Sequence, residues 1–416
     1  MGKKILLALL MAVLACSSAW AAGVVVVGSL NDMTGPTSDV GKDNAAGVRE
    51  AVAYVNDTGG INGKKIDLRM YDYGYKVPEA ITIYKRFKSV DRVTMILGWG
   101  TGDTEALSPT VGKDKMPYLS DSFSGHICDP KKAPYNFVYG TDYSTNARAA
   151  LISWYEEVWK KDPKWAEERA KGKPSFACFY SFPHPYASAP IRAIKDQAAL
   201  VGFDLVPDQD VALSAIDAKS QVLAAKRHKP HLIWHGNTTN SVAVAVKDAY
   251  ALGLGADHIV NNWGFDENLI KLAGKASEGV IGIGVCAFYG LDVPLMPQVK
   301  AYAKKVNPSL EEKDRTTRAV MGWVKVLLAR EAMTRADKAG KLNGPGIKEA
   351  FETLRNYNIA EIPNALGRPP ITYTATDHRP GSSATVYVVK NGKIVHLKTV
   401  DLRERYPDLW PKWLGW

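Results

Sequence analysis

Cysteine is scarce in this chain: four residues in 416, at positions 16, 128, 178 and 286. None forms a C-x-x-C pair and the last three lie far apart, which excludes a disulfide framework and makes buried free thiols the expected state. Beyond the N-terminal stretch no apolar run reaches the roughly 18 to 20 residues a bilayer crossing requires. Enzyme signatures are missing as well: there is no G-x-S-x-G elbow, no H-E-x-x-H and no G-x-x-x-x-G-K-[ST]. The eight histidines offer no ligand spacing beyond His228 and His231, which flank a loop and are expected at the surface. Low-complexity tracts and short-period repeats are absent. The formal charge of +10 includes Lys3 and Lys4, and the other basic residues are scattered, a solvated surface rather than a nucleic-acid footprint. Neither a metal nor a cofactor is expected.

What is present begins with MGKKILLALLMAVLACSSAWAAG. Two lysines, an apolar stretch from Ile5 to Ala15 and the small-residue site Ala19-Trp20-Ala21 predict a cleaved secretory signal over residues 1–21. Cys16 after Val13-Leu14-Ala15 loosely resembles a lipoprotein box, so lipid anchoring is the alternative to cleavage. Either way the mature chain is expected outside the cytoplasm.

From Val24 onward, β-branched runs alternate with helical stretches: strand Val24 to Leu30, helix Asn44 to Asn56, strand Ile66 to Tyr71, helix Pro78 to Val90, strand Val93 to Gly98, helix Thr104 to Asp114, strand Tyr118 to Ser120. A second series follows Gly140, with strands predicted at Ser175 to Tyr180, Asp204 to Pro207, Leu232 to His235 and Ile259 to Asn261. Helices are predicted between them at Thr145 to Lys160, Ala187 to Val201, Ala218 to His228 and Val242 to Leu252. Lys161 to Pro174 reads as a charged surface excursion. Strands separated by helices imply two doubly wound parallel sheets, an α/β fold of two lobes. In such sheets ligands sit outside the carboxyl ends of the strands, which gathers the strand-end loops around one cleft.

One of those loops is LGWGTGDTEALSP, Leu97 to Pro109. Its glycines run G-x-G-x-G, not G-x-G-x-x-G, and Asp103 at the helix start repels a phosphate, so a nucleotide loop is disfavoured. The helix start instead offers Thr101, Asp103 and Thr104 to a small ligand, or Asp103 acts only as a helix cap. Aromatic residues gather at the same strand ends, among them Trp99, Phe123, Tyr186, Trp234 and Trp263; Trp99, Tyr186 and Trp263, in or just before turns, are the best candidates for ligand contact. Trp410, Trp413 and Trp416, three residues apart, are expected to pack against a lobe.

The segment GSLNDMTGPTSDVGKDNAAGVREAVAYVNDTGGINGKKIDLRMYD resembles the opening strand, S/T-G-P loop, helix and GGINGxK turn of the periplasmic substrate-binding proteins of branched-chain amino acid type ABC transporters. EALSPTVGKDKMPYLS, PYASAPIRAIKDQAALVGF and LAGKASEGV extend the resemblance over essentially the whole mature chain. The resemblance implies a type I periplasmic-binding fold with three crossovers, residues 22–140 and 285–380 in one lobe and 141–284 and 381–416 in the other. It also implies a monomer that closes on a small-molecule ligand and delivers it to the membrane permease of an ABC importer; the alternatives are an exported sensor that uses the same cleft to signal to a membrane receptor or kinase, and an exported enzyme. Carried over by position, the family's carboxylate-binding serine and threonine read Asp103 and Ser124 here, with Ser122 between them. A second-lobe tyrosine is kept as Tyr186, another becomes Thr238, and the ammonium-binding carboxylate becomes Asn262. The first-loop tyrosine becomes Val40, and Tyr75 and Thr101 replace the family's small disulfide. The expectation is therefore a small organic ligand, amino-acid-like or aromatic, with a donor or positive group near Asp103.

Overall fold

The computed structural model describes residues 23–416, so the signal segment and Cys16 lie outside the described residues. Four valines open β1 (Val24–Asn31), the second strand of a five-stranded parallel sheet ordered β2-β1-β3-β4-β5. Its other members are β2 (Lys65–Asp72), β3 (Met95–Leu97), β4 (Tyr118–Ser120) and β5 (Asn136–Val138). The second sheet has eight strands. Its parallel part comprises β6 (Ser175–Tyr180), β7 (Asp204–Leu205), β8 (Gln209–Asp210), β9 (Leu232–His235), β10 (Asp257–Val260) and β11 (Ile281–Gly284). An antiparallel hairpin, β12 (Ser383–Lys390) and β13 (Lys393–Asp401), completes it on the β11 edge.

The chain passes between the sheets three times: after β5, after β11, and again before β12. Helices α1 (Ser38–Asp57), α2 (Val77–Arg86) and α3 (Thr101–Asp114) follow β1, β2 and β3. Helices α4 (Tyr143–Trp154), α5 (Ile191–Val201), α6 (Lys219–Lys226), α7 (Thr239–Ala251) and α8 (Glu267–Ala273) belong to the second series. Returning from β11, the chain forms α9 (Met296–Val306), α10 (Thr317–Lys338) and α11 (Gly344–Glu352), and buried side chains of α10 and α11 join the first sheet's hydrophobic core.

The close approach of α1 and α10 explains two glycines. A Cβ on Gly47 would stand 2.2 Å from the Ala319 carbonyl oxygen, and one on Gly322 would stand 2.6 Å from that of Asn44. Only glycine permits such contact between helix backbones. One turn beyond Gly322 this packing drives Lys325, fully buried, under the carboxyl ends of β3 and β4, where it meets Asp121.

Several elements differ from the sequence expectation. Helix α1 begins at Ser38 and α4 at Tyr143, earlier than apolar spacing places them. The strand expected over residues 204–207 is only two residues long. The charged stretch after Lys161 is not a free excursion: Trp165 is buried against Trp154 and Trp159, and Asp257 accepts the indole N–H groups of Trp154 and Trp165 at 2.8 Å each. His231, expected at the surface, is partly buried between Trp159 and Trp165 and bonded to Ser175. Trp410 and Trp413 do pack on the protein body, their faces covered by Arg379 and Arg148 at 3.7 and 3.9 Å. Cys128, Cys178 and Cys286 are buried free thiols. Among the described residues no helix is long and apolar enough to cross a membrane, and no cluster of His, Cys, Asp and Glu is arranged to hold a metal ion.

Candidate functional site

The carboxyl ends of both parallel sheets face one another across a closed cleft. Its inner cavity, about 20 Å³, is walled from the first lobe by Thr37, Val40, Tyr75, Trp99, Thr101 and Asp121, and from the second by Tyr186, Thr238 and Trp263, with Tyr143 at the start of α4. That volume holds about one water molecule. A larger ligand therefore requires the lobes to part or the aromatic rings to turn aside.

Trp99 and Trp263 are positioned by the strand ends they follow, and Tyr186 by the one-turn helix Pro185–Ser188 beyond β6. Trp99 follows β3 and donates its indole N–H to Thr37 Oγ1 at 3.0 Å. Trp263 follows β10 and donates to the Tyr143 hydroxyl at 3.0 Å. Tyr186 donates to Asn261 Oδ1 at 2.9 Å, and the same oxygen accepts the Trp263 backbone N–H at 2.7 Å. Trp99 meets Trp263 edge to face, Tyr143 meets Tyr186 likewise, and Phe123 lies behind Trp263 at 6.2 Å. The Arg318 guanidinium lies 5.0 Å from the Trp263 ring centre while pairing with Asp266 at 3.1 Å.

Tyr75 enters the cavity from a left-handed backbone, φ +60°. That conformation is uncommon for a non-glycine residue and persists where the surroundings over-determine it. Beneath the cavity, Asp121 accepts from both Tyr139 and Lys325. Burial raises the Asp121 carboxyl and lowers the Lys325 ammonium, each opposed by the attraction of the other. A buried pair of this kind contributes fixed geometry more surely than net stability.

Of the residues expected at the site, Trp99, Thr101, Tyr186, Thr238 and Trp263 line this cavity. Asp103 does not. Its carboxylate turns behind the α3 N-terminus, accepting from Tyr73 at 2.7 Å and Tyr118 at 3.4 Å. It also takes up the Gly100 backbone N–H, as an acid at the third helical position reaching back to the cap residue does. Burial raises it to about 7. A ligand group facing Asp103 is thus replaced by tyrosine hydroxyls, since the two rings fill the space beside it. Thr104 is likewise internal, bonding the Gly100 carbonyl and Ser120. Ser122 bonds Thr101 at 2.7 Å, Ser124 bonds Glu105 at 2.8 Å, and Phe123 backs the rings. Asn262 is buried with neither amide atom bonded. Thr37, Tyr75, Asp121 and Tyr143 are the walls that sequence reasoning did not select; Asp121 opens a strand-end loop, which is the one signal that could have found it.

With this geometry in view, a family model described as periplasmic binding protein matches residues 24–393. The chain belongs to that family. As a periplasmic binding protein it is similar to solved structures along nearly its whole length. An ABC transporter substrate-binding protein from Aeropyrum pernix is 29% identical, with TM-score 0.81 over 91% of this chain and 96% of that one. A branched-chain amino acid ABC transporter protein from Thermus thermophilus with bound valine is 20% identical, with TM-score 0.82 over 92% and 99%. A solute-binding protein of an ABC transporter from Rhodopseudomonas palustris, in complex with 3,4-dihydroxybenzoic acid, is 18% identical, with TM-score 0.71 over 91% and 97%. Among curated proteins no significant match is found.

Proposed function

We propose that this periplasmic binding protein captures one small organic molecule, amino-acid-like or aromatic, between its lobes and hands it to the permease of an ABC importer. It is exported by cleavage near Ala21 and acts as a monomer. The observation that carries this reading is the convergence of Trp99, Thr101 and Tyr75 from one sheet with Tyr186, Thr238 and Trp263 from the other around a single cavity. Rings of this kind give large contact area with few rotors. Valine and dihydroxybenzoate in the similar proteins support a ligand of that size.

The charges at the cavity support a ligand held mainly by stacking and neutral hydrogen bonds. Lys325 is paired with Asp121 and Arg318 with Asp266, so neither is a free cation for an anionic ligand. Both indole N–H groups and the Tyr186 hydroxyl already have acceptors. Native mass spectrometry of the purified protein tests the reading. A single retained small molecule, lost on denaturation and restoring the same complex when added back, supports it; turnover of that molecule instead of stoichiometric retention would refute it.

A further inference from the structure

Outside the inner cavity lies a second, open groove of about 760 Å³ that also touches both lobes. The two spaces are divided where the first turn of α1 meets the first turn of α7. Val40 faces the inner cavity while Asp39 lines the outer groove; across the divide, Thr238 faces inward and Asn240 outward. Across this divide the Asn240 backbone N–H donates to Asp39 Oδ2 at 2.9 Å.

Helix α7 has Thr238 at its cap position, yet the Thr238 side chain makes no capping bond. Thr238 Oγ1 is buried without a partner, and so is Asp39 Oδ1. A threonine at this position ordinarily accepts the N–H of the second or third helical residue, here Asn240 or Ser241. In the closed cleft Asp39 of the opposite lobe has taken that place.

We propose that Asp39 is the closing latch of the cleft, exchanging with Thr238 as the cap of α7 when the lobes meet. When they part, Asp39 returns to water and Thr238 regains the helix end, so α7 is capped in both states. The latch rests on the two-lobe capture reading above and adds the residue that holds capture shut.

The protonation of Asp39 follows from the same geometry. The Thr238 hydroxyl faces the Asp39 carboxyl and, as a donor, lowers it together with the Asn240 N–H; a proton on Oδ1 reverses the first contact, the carboxyl then donating to Thr238 Oγ1 while Oδ2 still accepts from Asn240. The groups facing Asp39 are Asp266, which raises it, and Arg318, which lowers it; Lys42, Asp43, Lys247 and Asp314 line the groove beside it. Burial dominates and lifts Asp39 from the ordinary 3.8 to about 6 in the closed state. A carboxyl raised on closing favours closure fully below its open-state value, and that advantage is lost as pH rises through 6. Linkage between those two values makes the closing constant about tenfold smaller at pH 7.5 than at pH 5.

The test reads the distance between the lobes by electron spin resonance, with spin labels at Glu79→Cys on α2 and Ser220→Cys on α6, both exposed, in a Cys16→Ser background. The other three cysteines are buried and stay unlabelled. Asp39→Asn reproduces the protonated side chain and is expected to close more than wild type at both pH values, with an advantage about tenfold larger at pH 7.5 than at pH 5. Asp39→Ala is expected to close less than Asp39→Asn at both pH values, by about fivefold for the hydrogen bond across the lobes that it cannot make. Groups common to all variants cancel in these ratios. Asp39→Ala closing as Asp39→Asn does, or a wild-type to Asp39→Asn ratio that is flat with pH, overturns the latch and leaves capture standing. A single inter-lobe distance in every variant at every pH overturns closure itself, and the latch with it.

Discussion

Trp99 of the first lobe and Trp263 of the second stand edge to face across the cleft, ring centres 5.0 Å apart with planes inclined at 64°. An aromatic pair in this arrangement is worth about 0.5 to 1.5 kcal/mol beyond its area burial. In the closed cleft the pair fills the space that the proposed function gives to the ligand.

Trp263→Phe keeps a ring but removes the indole N–H that Tyr143 accepts. Loss of one such bond, about 1 kcal/mol, is expected to weaken ligand binding about five- to tenfold. Titration of the retained ligand by calorimetry on both proteins measures it; unchanged affinity would remove Trp263 from the ligand contact.

Asp103→Ala deletes the acceptor of the Tyr73 hydroxyl behind the cavity. Stability is expected to fall by about 1 to 3 kcal/mol, the usual cost of leaving a buried polar group unpaired, with affinity nearly unchanged. Melting temperature and dissociation constant, measured on the same sample, separate the two effects. A large loss of affinity at unchanged stability would return Asp103 to the ligand.

The same residue predicts a pH dependence. Burial holds the Asp103 carboxyl near 7 in the folded chain, so folding takes up a proton between the ordinary carboxylate range and 7. Its stabilising protonated form is fully present below about pH 4 and is lost as pH rises through 7. Asp103→Asn removes that titration. Relative to this variant, wild type is expected to lose on the order of 1 to 3 kcal/mol between pH 5 and pH 8, read by urea unfolding at each pH.

The alternation of short apolar strands with helices was legible because it follows from side-chain periods, and it yielded most of both parallel series, missing β5 and β11. The hairpin of β12 and β13 also has a local signal, Asn391-Gly392, with both residues at positive φ, between the runs VYVV and KIVHL. N-G between β-rich runs is the two-residue hairpin turn. The candidate cavity was legible at Trp99, Thr101, Tyr186, Thr238 and Trp263, which lie in the loops and helix starts that follow strands. Asp103 stands in the right loop, but which way it faces is decided by Tyr73, from the loop after β2, and Tyr118, from β4. Tyr143 and Lys325 reach the site by tertiary packing alone, which no local period records.

Lys325 and Asp121 are both fully buried. Lys325→Met strands a carboxylate beneath the cavity and is expected to cost about 3 to 5 kcal/mol, whereas Lys325→Met with Asp121→Asn is expected to recover most of it. Chemical unfolding of the single and double variants measures the difference. A double variant no more stable than the single would show that the pair's worth lies in packing rather than in charge.

The central claim is that the lobes close on the ligand. Small-angle X-ray scattering of the protein stripped of its retained molecule, then saturated with it, tests this most directly. The account predicts a smaller radius of gyration at saturation, with a profile matching the closed structure in which Asp39 reaches Asn240 and Trp99 meets Trp263. Identical profiles with and without the bound ligand would contradict it.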